Sequence, residues 1–119
     1  MAQHNELGKE GEKLAVEYLQ KNGYLIVEKN YRFLKAEVDI IAKKEGTLAV
    51  VEVKTRSTTY FGNPQDFVNP KKIKLLVIAI DDYVTKNDLD VEIRFDIIAI
   101  IKQRSEFVIE HIEDAFLYF

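Results

Sequence analysis

The sequence predicts an α/β fold, with a central mixed five-stranded sheet flanked by helices. Three observations predict it. Short apolar segments rich in β-branched residues, such as Val38 to Ala42 and Leu48 to Val53, read as buried strands. Two segments carry apolar residues at helical spacing. The elements run helix, three strands, helix, two strands, so the second helix is a crossover that makes the third and fourth strands parallel.

The first helix is expected from about Glu6 to Asn22, with Leu7, Leu14, Ala15, Tyr18 and Leu19 at helical spacing and Asn22-Gly23 as its stop. Gly8 and Gly11 lower its propensity, a cost that suits close approach of the helix to a strand. Tyr24 to Glu28 reads as the first strand. Glu37 to Ala42 and Thr47 to Lys54 read as a hairpin around Lys43-Lys44-Glu45-Gly46. Thr55 to Pro70 is a polar connection too long for a simple turn. The second helix is expected from about Lys71 to Thr85, with Leu75, Ile78, Ala79 and Tyr83 inward. Glu92 to Lys102 and Glu106 to His111 read as strands, and Glu113 to Phe119 as a short terminal helix.

The 119 residues suit a single domain with a core of its own. An apolar share of 47% and a charged share of 31% are ordinary for a soluble protein. With no cysteine there are no disulfides or thiolate zinc sites, which suits a reducing cytoplasm. The N-terminus lacks the basic and apolar regions of a signal peptide, and the apolar runs are too short to span a bilayer. A net charge of −3 is no footprint for nucleic acid, although Lys71, Lys72 and Lys74 cluster locally.

The chemistry concentrates in Glu37-Val38-Asp39 and Glu52-Val53-Lys54. Carboxylates and an ammonium on otherwise apolar strands are costly unless paired. Alternation places Glu52 and Lys54 on one face with Leu48 and Val50, and Asp39 on a face with Glu37 and Ile41. If the strands pair, Asp39 and Glu52 converge, with Lys54 one pleat further on. Two carboxylates suit Mg²⁺ or Mn²⁺, and a neighbouring lysine can orient or deprotonate a water, the set that phosphodiester hydrolysis needs. A cross-strand salt bridge between Asp39 and Lys54 is the bland alternative. Glu12 lies at the edge of the buried face of the first helix, either joining the acids or reaching solvent.

Arg94 and Asp96 share a face and read as an internal ion pair or a partner for Glu52. Arg32, in Asn30-Tyr31-Arg32, is either a phosphate contact or a solvated residue. Arg56, Tyr60, Phe61 and Gln65 mix charge, aromatics and an amide as a nucleic-acid-binding loop does, or else the aromatics anchor the loop to the body; Lys71 and Lys74 read as phosphate contacts or, by default, as a solvated helix face. His4 and His111 have no metal-ligand spacing and read as structural or surface residues.

In order along the chain stand Gly8-x-x-Gly11-Glu12-x-x-Ala15, Asn30-Tyr31-Arg32, Glu37-Val38-Asp39, Val51-Glu52-Val53-Lys54-Thr55-Arg56, Gly62, Lys71, Arg94-Phe95-Asp96 and Ala115-Phe116. This series resembles the YraN-like family of bacterial predicted endonucleases over nearly the whole chain. Its most specific pieces are Glu-Val-Lys-Thr-Arg and Arg-Phe-Asp. The resemblance implies a restriction-endonuclease-like core related to Holliday-junction resolvases. It makes Asp39 and Glu52 metal ligands, Lys54 the catalytic lysine and Glu12 the helix acid. Ala36 departs from the glycine usual before Glu-hydrophobic-Asp, which touches a turn and not a ligand. The expected activity is Mg²⁺- or Mn²⁺-dependent cleavage of DNA, including branched intermediates, with a homodimer where a junction is cut symmetrically. A module that keeps the fold but only binds nucleic acid or protein, and an assembly protein with structural salt bridges, are the competing readings.

Overall fold

The computed structural model describes residues 2–57 and 68–115, with side chains described from Glu6 onward. Its elements are α1 (Ala2–Lys21), β1 (Leu25–Phe33), β2 (Ala36–Lys44), β3 (Thr47–Arg56), α2 (Pro70–Lys86), β4 (Glu92–Gln103) and β5 (Glu106–Ile112). The strands form one sheet in the order β1-β2-β3-β4-β5. Only β3 and β4 run parallel, joined by the α2 crossover, and the other neighbours are antiparallel. The expected α/β architecture is therefore present, compatible with a restriction-endonuclease-like core. Among the described residues, no helix is long and apolar enough to cross a membrane.

Strand alternation divides the core between the two sheet faces. Leu48, Val50, Phe95 and Ile97 pack with Leu76, Ala79, Ile80 and Tyr83 of α2. Ala49, Val51, Ile98 and Ile100 pack with Ala15 and Leu19 of α1. The stop of α1 and the start of α2 fall where the sequence dictates. Gly23 takes φ +90 just beyond α1, a conformation a side chain would disfavour. Asn69 caps α2 by accepting the Lys72 N–H at 2.8 Å, and Pro70 supplies the preset φ of the first turn.

Three expectations need correction. β1 continues to Phe33 instead of stopping at Glu28. It is an edge strand whose polar residues Glu28, Lys29, Asn30 and Arg32 need no cover, and a register shift between Ile26 and Glu28 disrupts its alternation. The inward face of α2 is Leu76, Ala79, Ile80 and Tyr83, while Ile78 is 46% exposed. Six consecutive apolar residues, Leu75 to Ile80, fit more than one helical phase, and the one that packs differs from the expected one at Leu76 and Ile80. Finally, Glu113 and Asp114 form a turn, with Asp114 at φ 52, in place of the start of a helix. The buried Ala115 then ties its N–H to the Phe95 carbonyl at 2.7 Å, and the remainder of the expected terminal helix lies outside the described residues.

Candidate functional site

The hairpin of β2 and β3 pairs regularly from Lys44–Thr47 to Ile40–Val51, and the ladder ends there. On the other side of β2, pairing with β1 runs through Lys29–Ile40 and Tyr31–Val38, leaving Asp39 opposite Asn30. Asn30 adopts φ 54, a left-handed conformation that asparagine tolerates better than most residues. Alternation breaks at the same place. Val38 and Ile41 both pack on the α2 side, so Asp39 does not share a simple face with Glu37 and Ile41 as expected. Its carboxylate stands in for a missing ladder carbonyl, with Oδ2 accepting the Val53 N–H at 2.8 Å.

Glu52 is placed as alternation requires, on the α2 face with Leu48 and Val50. It is 3% exposed. Oε2 accepts a hydrogen bond from Lys72 Nζ at 2.6 Å and lies 3.7 Å from Lys54 Nζ. Among the described residues, Oε1 is buried with no hydrogen-bond partner. Such an oxygen is costly to leave unmet. Burial raises Asp39 to about 7, and the charge of Glu52 adds to the rise, against the lowering effect of the Val53 N–H and Lys72. Burial also raises Glu12, with Glu37 and Glu52 adding to it and a hydrogen bond from the Asn30 side chain opposing it. Glu12, Asp39 and Glu52 thus feel one another electrostatically, three acids from a helix and two strands.

Gly11 allows Glu12 to reach this position. A Cβ on Gly11 would overlap the Thr55 side chain outright, so α1 crosses β3 where only glycine fits. Gly8 shows no such contact, so the expected close approach belongs to Gly11 alone.

Lys72 is the site residue that sequence reasoning missed, since Lys71 had been assigned the phosphate contact. The signal was present in the cap. Asn69-Pro70 sets the phase of α2, and Lys72 then precedes Leu76, Ala79, Ile80 and Tyr83 on one stripe. Burial by itself would lower the Lys72 ammonium, and its hydrogen bond to Glu52 overcomes this and raises it. Lys71 is exposed and lines a cleft of about 380 Å³ together with Lys35, Glu37, Asp39, Asn69 and Lys72.

The remaining expected contacts divide. Arg56 ends β3 at the same edge of the sheet, donating to the Thr55 carbonyl at 3.1 Å. Arg32 is 77% exposed and pairs with Glu37 at 3.4 Å, turned to solvent. Its neighbour Tyr31 donates to Asp82 at 2.5 Å and meets Tyr83 edge-on, which anchors β1 to α2. Gln65, Tyr60 and Phe61 lie outside the described residues, as does the side chain of His4. The bland Asp39–Lys54 bridge is not formed, because the partner of Lys54 is Glu52. Among the described residues, no three acid or histidine side chains come together as a metal cage.

Arg94 and Asp96 form the expected internal pair, without Glu52. Asp96 is 0% exposed and both of its oxygens are fully used. Arg94 donates to Oδ1 and Oδ2 at 2.9 and 2.8 Å, His111 Nε2 meets Oδ2 at 2.8 Å, and the Asp114 N–H reaches Oδ1 at 3.1 Å. Tyr18 closes the chain at 3.2 Å from His111 Nδ1. Burial would raise Asp96, but these hydrogen bonds, that from His111 first, hold it below the ordinary carboxylate value. His111 is thereby structural, as expected, in a network that joins α1, β4 and β5.

Relatives of this chain support the grouping its motifs suggested. The UPF0102 proteins of Flavobacterium psychrophilum and Christiangramia forsetii are each 66% identical to it over 119 residues, covering 100% of both chains. The UPF0102 protein of Bacteroides thetaiotaomicron is 51% identical over 116 residues, 98% of this chain and 96% of its own. The model of uncharacterised protein family UPF0102 matches residues 11–100. The chain therefore belongs to that family, the YraN family that its motif series resembles.

Proposed function

We propose that this protein is a divalent-metal-dependent DNA endonuclease whose reacting centre is Asp39, Glu52 and Lys54, supported by Glu12 and Lys72. One observation carries the reading. Among the described residues Glu52 is buried with one oxygen unpartnered, beside a second carboxylate raised to about 7, an arrangement that costs the fold stability.

The donor set fits Mg²⁺ or Mn²⁺. These hard cations take oxygen ligands, and Mg²⁺ is commonly held by one or two carboxylates, with water and a substrate phosphate completing the shell. Asp39 and Glu52 would hold the ion, relieving both the repulsion between them and the unmet oxygen of Glu52. The chemistry such an ion supplies when bound is neutralisation of a phosphate oxygen and acidification of water.

The chain's own residues do the rest. Lys54 lies two residues beyond Glu52 on the same strand face, where its ammonium can position a water or take up and return its proton. Lys72 balances Glu52 and is available to a phosphate oxygen once another cation does so. Glu12 keeps a third negative charge within electrostatic reach of Glu52 and Asp39 and favours cation uptake. Lys35, Lys71 and Arg56 give the cleft and its edge positive charge despite the net charge of −3. DNA as the substrate rests on the resemblance of Glu-Val-Lys-Thr-Arg and its companions to the predicted nucleases, supported by this local charge.

The test is cleavage of a panel of linear and branched DNAs in millimolar Mn²⁺. Wild type should cut at least one, and Glu52→Ala and Lys54→Ala should each lose at least about 100-fold, the order expected for removing one preorganised catalytic group. Cleavage that survives both substitutions overturns the proposal.

A further inference from the structure

The sheet has three two-residue hairpin tips, and their comparison singles out one. Leu34-Lys35 lies between the paired Phe33 and Ala36, Glu45-Gly46 between Lys44 and Thr47, and Arg104-Ser105 between Gln103 and Glu106. The first residue of each tip is left-handed, at φ 58 for Leu34, 56 for Glu45 and 59 for Arg104. The other two tips are polar or glycine, as turn chemistry prefers. Leu34 is the exception: a bulky apolar side chain in a disfavoured conformation, 83% exposed.

Its location is equally particular. Strand direction places this tip at the end of the sheet where β3 finishes at Arg56, beyond Asp39 and Glu52. Its turn partner Lys35 lines the cleft that contains Asp39 and Lys72. The Glu45-Gly46 tip, at the opposite end of the sheet, has no such neighbour. An exposed apolar tip next to a lysine that lines the cleft of Asp39 matches an apolar wedge beside a phosphate contact.

We propose that Leu34 is a wedge that enters the base stack of DNA held in the cleft, and that this selects DNA with an interrupted stack. The inference rests on the nuclease reading and narrows its substrate class to branched or nicked DNA. Unstacking costs a few kcal/mol per step in continuous duplex and least where a base is already unpaired. A single leucine can therefore open a branch point more readily than an intact helix. Lys35 meets the flanking phosphate, which sets the depth and side of entry.

The test measures fluorescence of 2-aminopurine placed at the branch of a splayed-arm duplex and, separately, inside a continuous duplex, with full-length protein and Ca²⁺. Wild type and Leu34→Met should raise the signal at the branch, whereas Leu34→Ala and Leu34→Gly should not. The latter two should also lose about tenfold of the preference for branched DNA, the order expected from losing one buried apolar side chain. Leu34→Gly relieves the left-handed strain, so loss of signal in that variant cannot come from misfolding. An unchanged signal in both small variants overturns the wedge and leaves the nuclease reading intact. Failure of wild type to bind any DNA overturns both. A wild-type dimer that Leu34→Ala splits, with no effect on 2-aminopurine, assigns Leu34 to a second copy of this chain and also overturns the wedge.

Discussion

Two carboxylates are almost completely removed from water on this sheet, and they are treated in opposite ways. Asp96 meets Arg94, His111 and the Asp114 N–H, so both oxygens are satisfied and its acidity is held down. Among the described residues, Glu52 has ammonium neighbours on one oxygen only and the other is unmet, while its partner acid Asp39 is driven up to about 7. A buried charge that is fully hydrogen-bonded belongs to the fold. One that is half-satisfied and crowded by like charge would be relieved by a further cation, which is why the proposed site lies at Glu52 while Asp96 serves the architecture.

The largest expected effect breaks the satisfied region. Asp96→Ala leaves Arg94 and His111 without their shared acceptor and should cost about 3–5 kcal/mol, as removing one member of a buried pair does. Glu52→Gln keeps an acceptor for Lys72 and removes the repulsion with Asp39, so its change should stay within about 1 kcal/mol. Urea denaturation of both variants checks the contrast, and equal losses would erase the distinction between the two regions.

The two acids should also tilt stability with pH in opposite directions. Asp39 is raised from 3.8 to about 7, so the folded state binds more protons than the unfolded one between those values. Its contribution is therefore most favourable at the acid end and is lost as pH rises through about 7, by on the order of 2 kcal/mol after allowing for partial exposure. Asp96 is lowered, so its contribution is present above the ordinary carboxylate value and is lost as pH falls through its folded value. In metal-free buffer Asp39→Asn should flatten the decline between pH 4 and 7, as read from the wild-type-minus-variant difference in urea midpoint. A difference that does not change across this window would contradict the account.

Helix α1 serves both regions, and its glycines separate them. Gly11→Ala forces α1 away from Thr55 and should cost about 1–3 kcal/mol as an overpacked contact. Gly8→Ala meets nothing within 4 Å and should gain up to about 1 kcal/mol from helix propensity. Thermal melts of the two variants should move in opposite directions.

Much of this was legible in the sequence because alternation and helical spacing are local. They gave the element order, the parallel β3–β4 pair, the facing of Glu52 and the Arg94–Asp96 pair. Illegibility began where the pattern was uniform or interrupted. The run from Leu75 to Ile80 hides the phase of α2, and with it Lys72, which only the Asn69-Pro70 cap locates. The polar edge strand β1 conceals its own length. Asp39 sits where two ladders lapse together, an irregularity that alternation cannot foresee. The assembly around Asp96 joins Tyr18, Arg94 and His111 across long stretches of chain, and no spacing in the sequence announces it.

The central claim is that Asp39 and Glu52 form a divalent-cation site, and calorimetric titration of wild type and Glu52→Gln with Mn²⁺ tests it most directly. The account predicts binding by wild type at submillimolar to millimolar metal, absent in Glu52→Gln although that variant stays folded. Equal binding by the two proteins, or none by wild type at millimolar Mn²⁺, would contradict it.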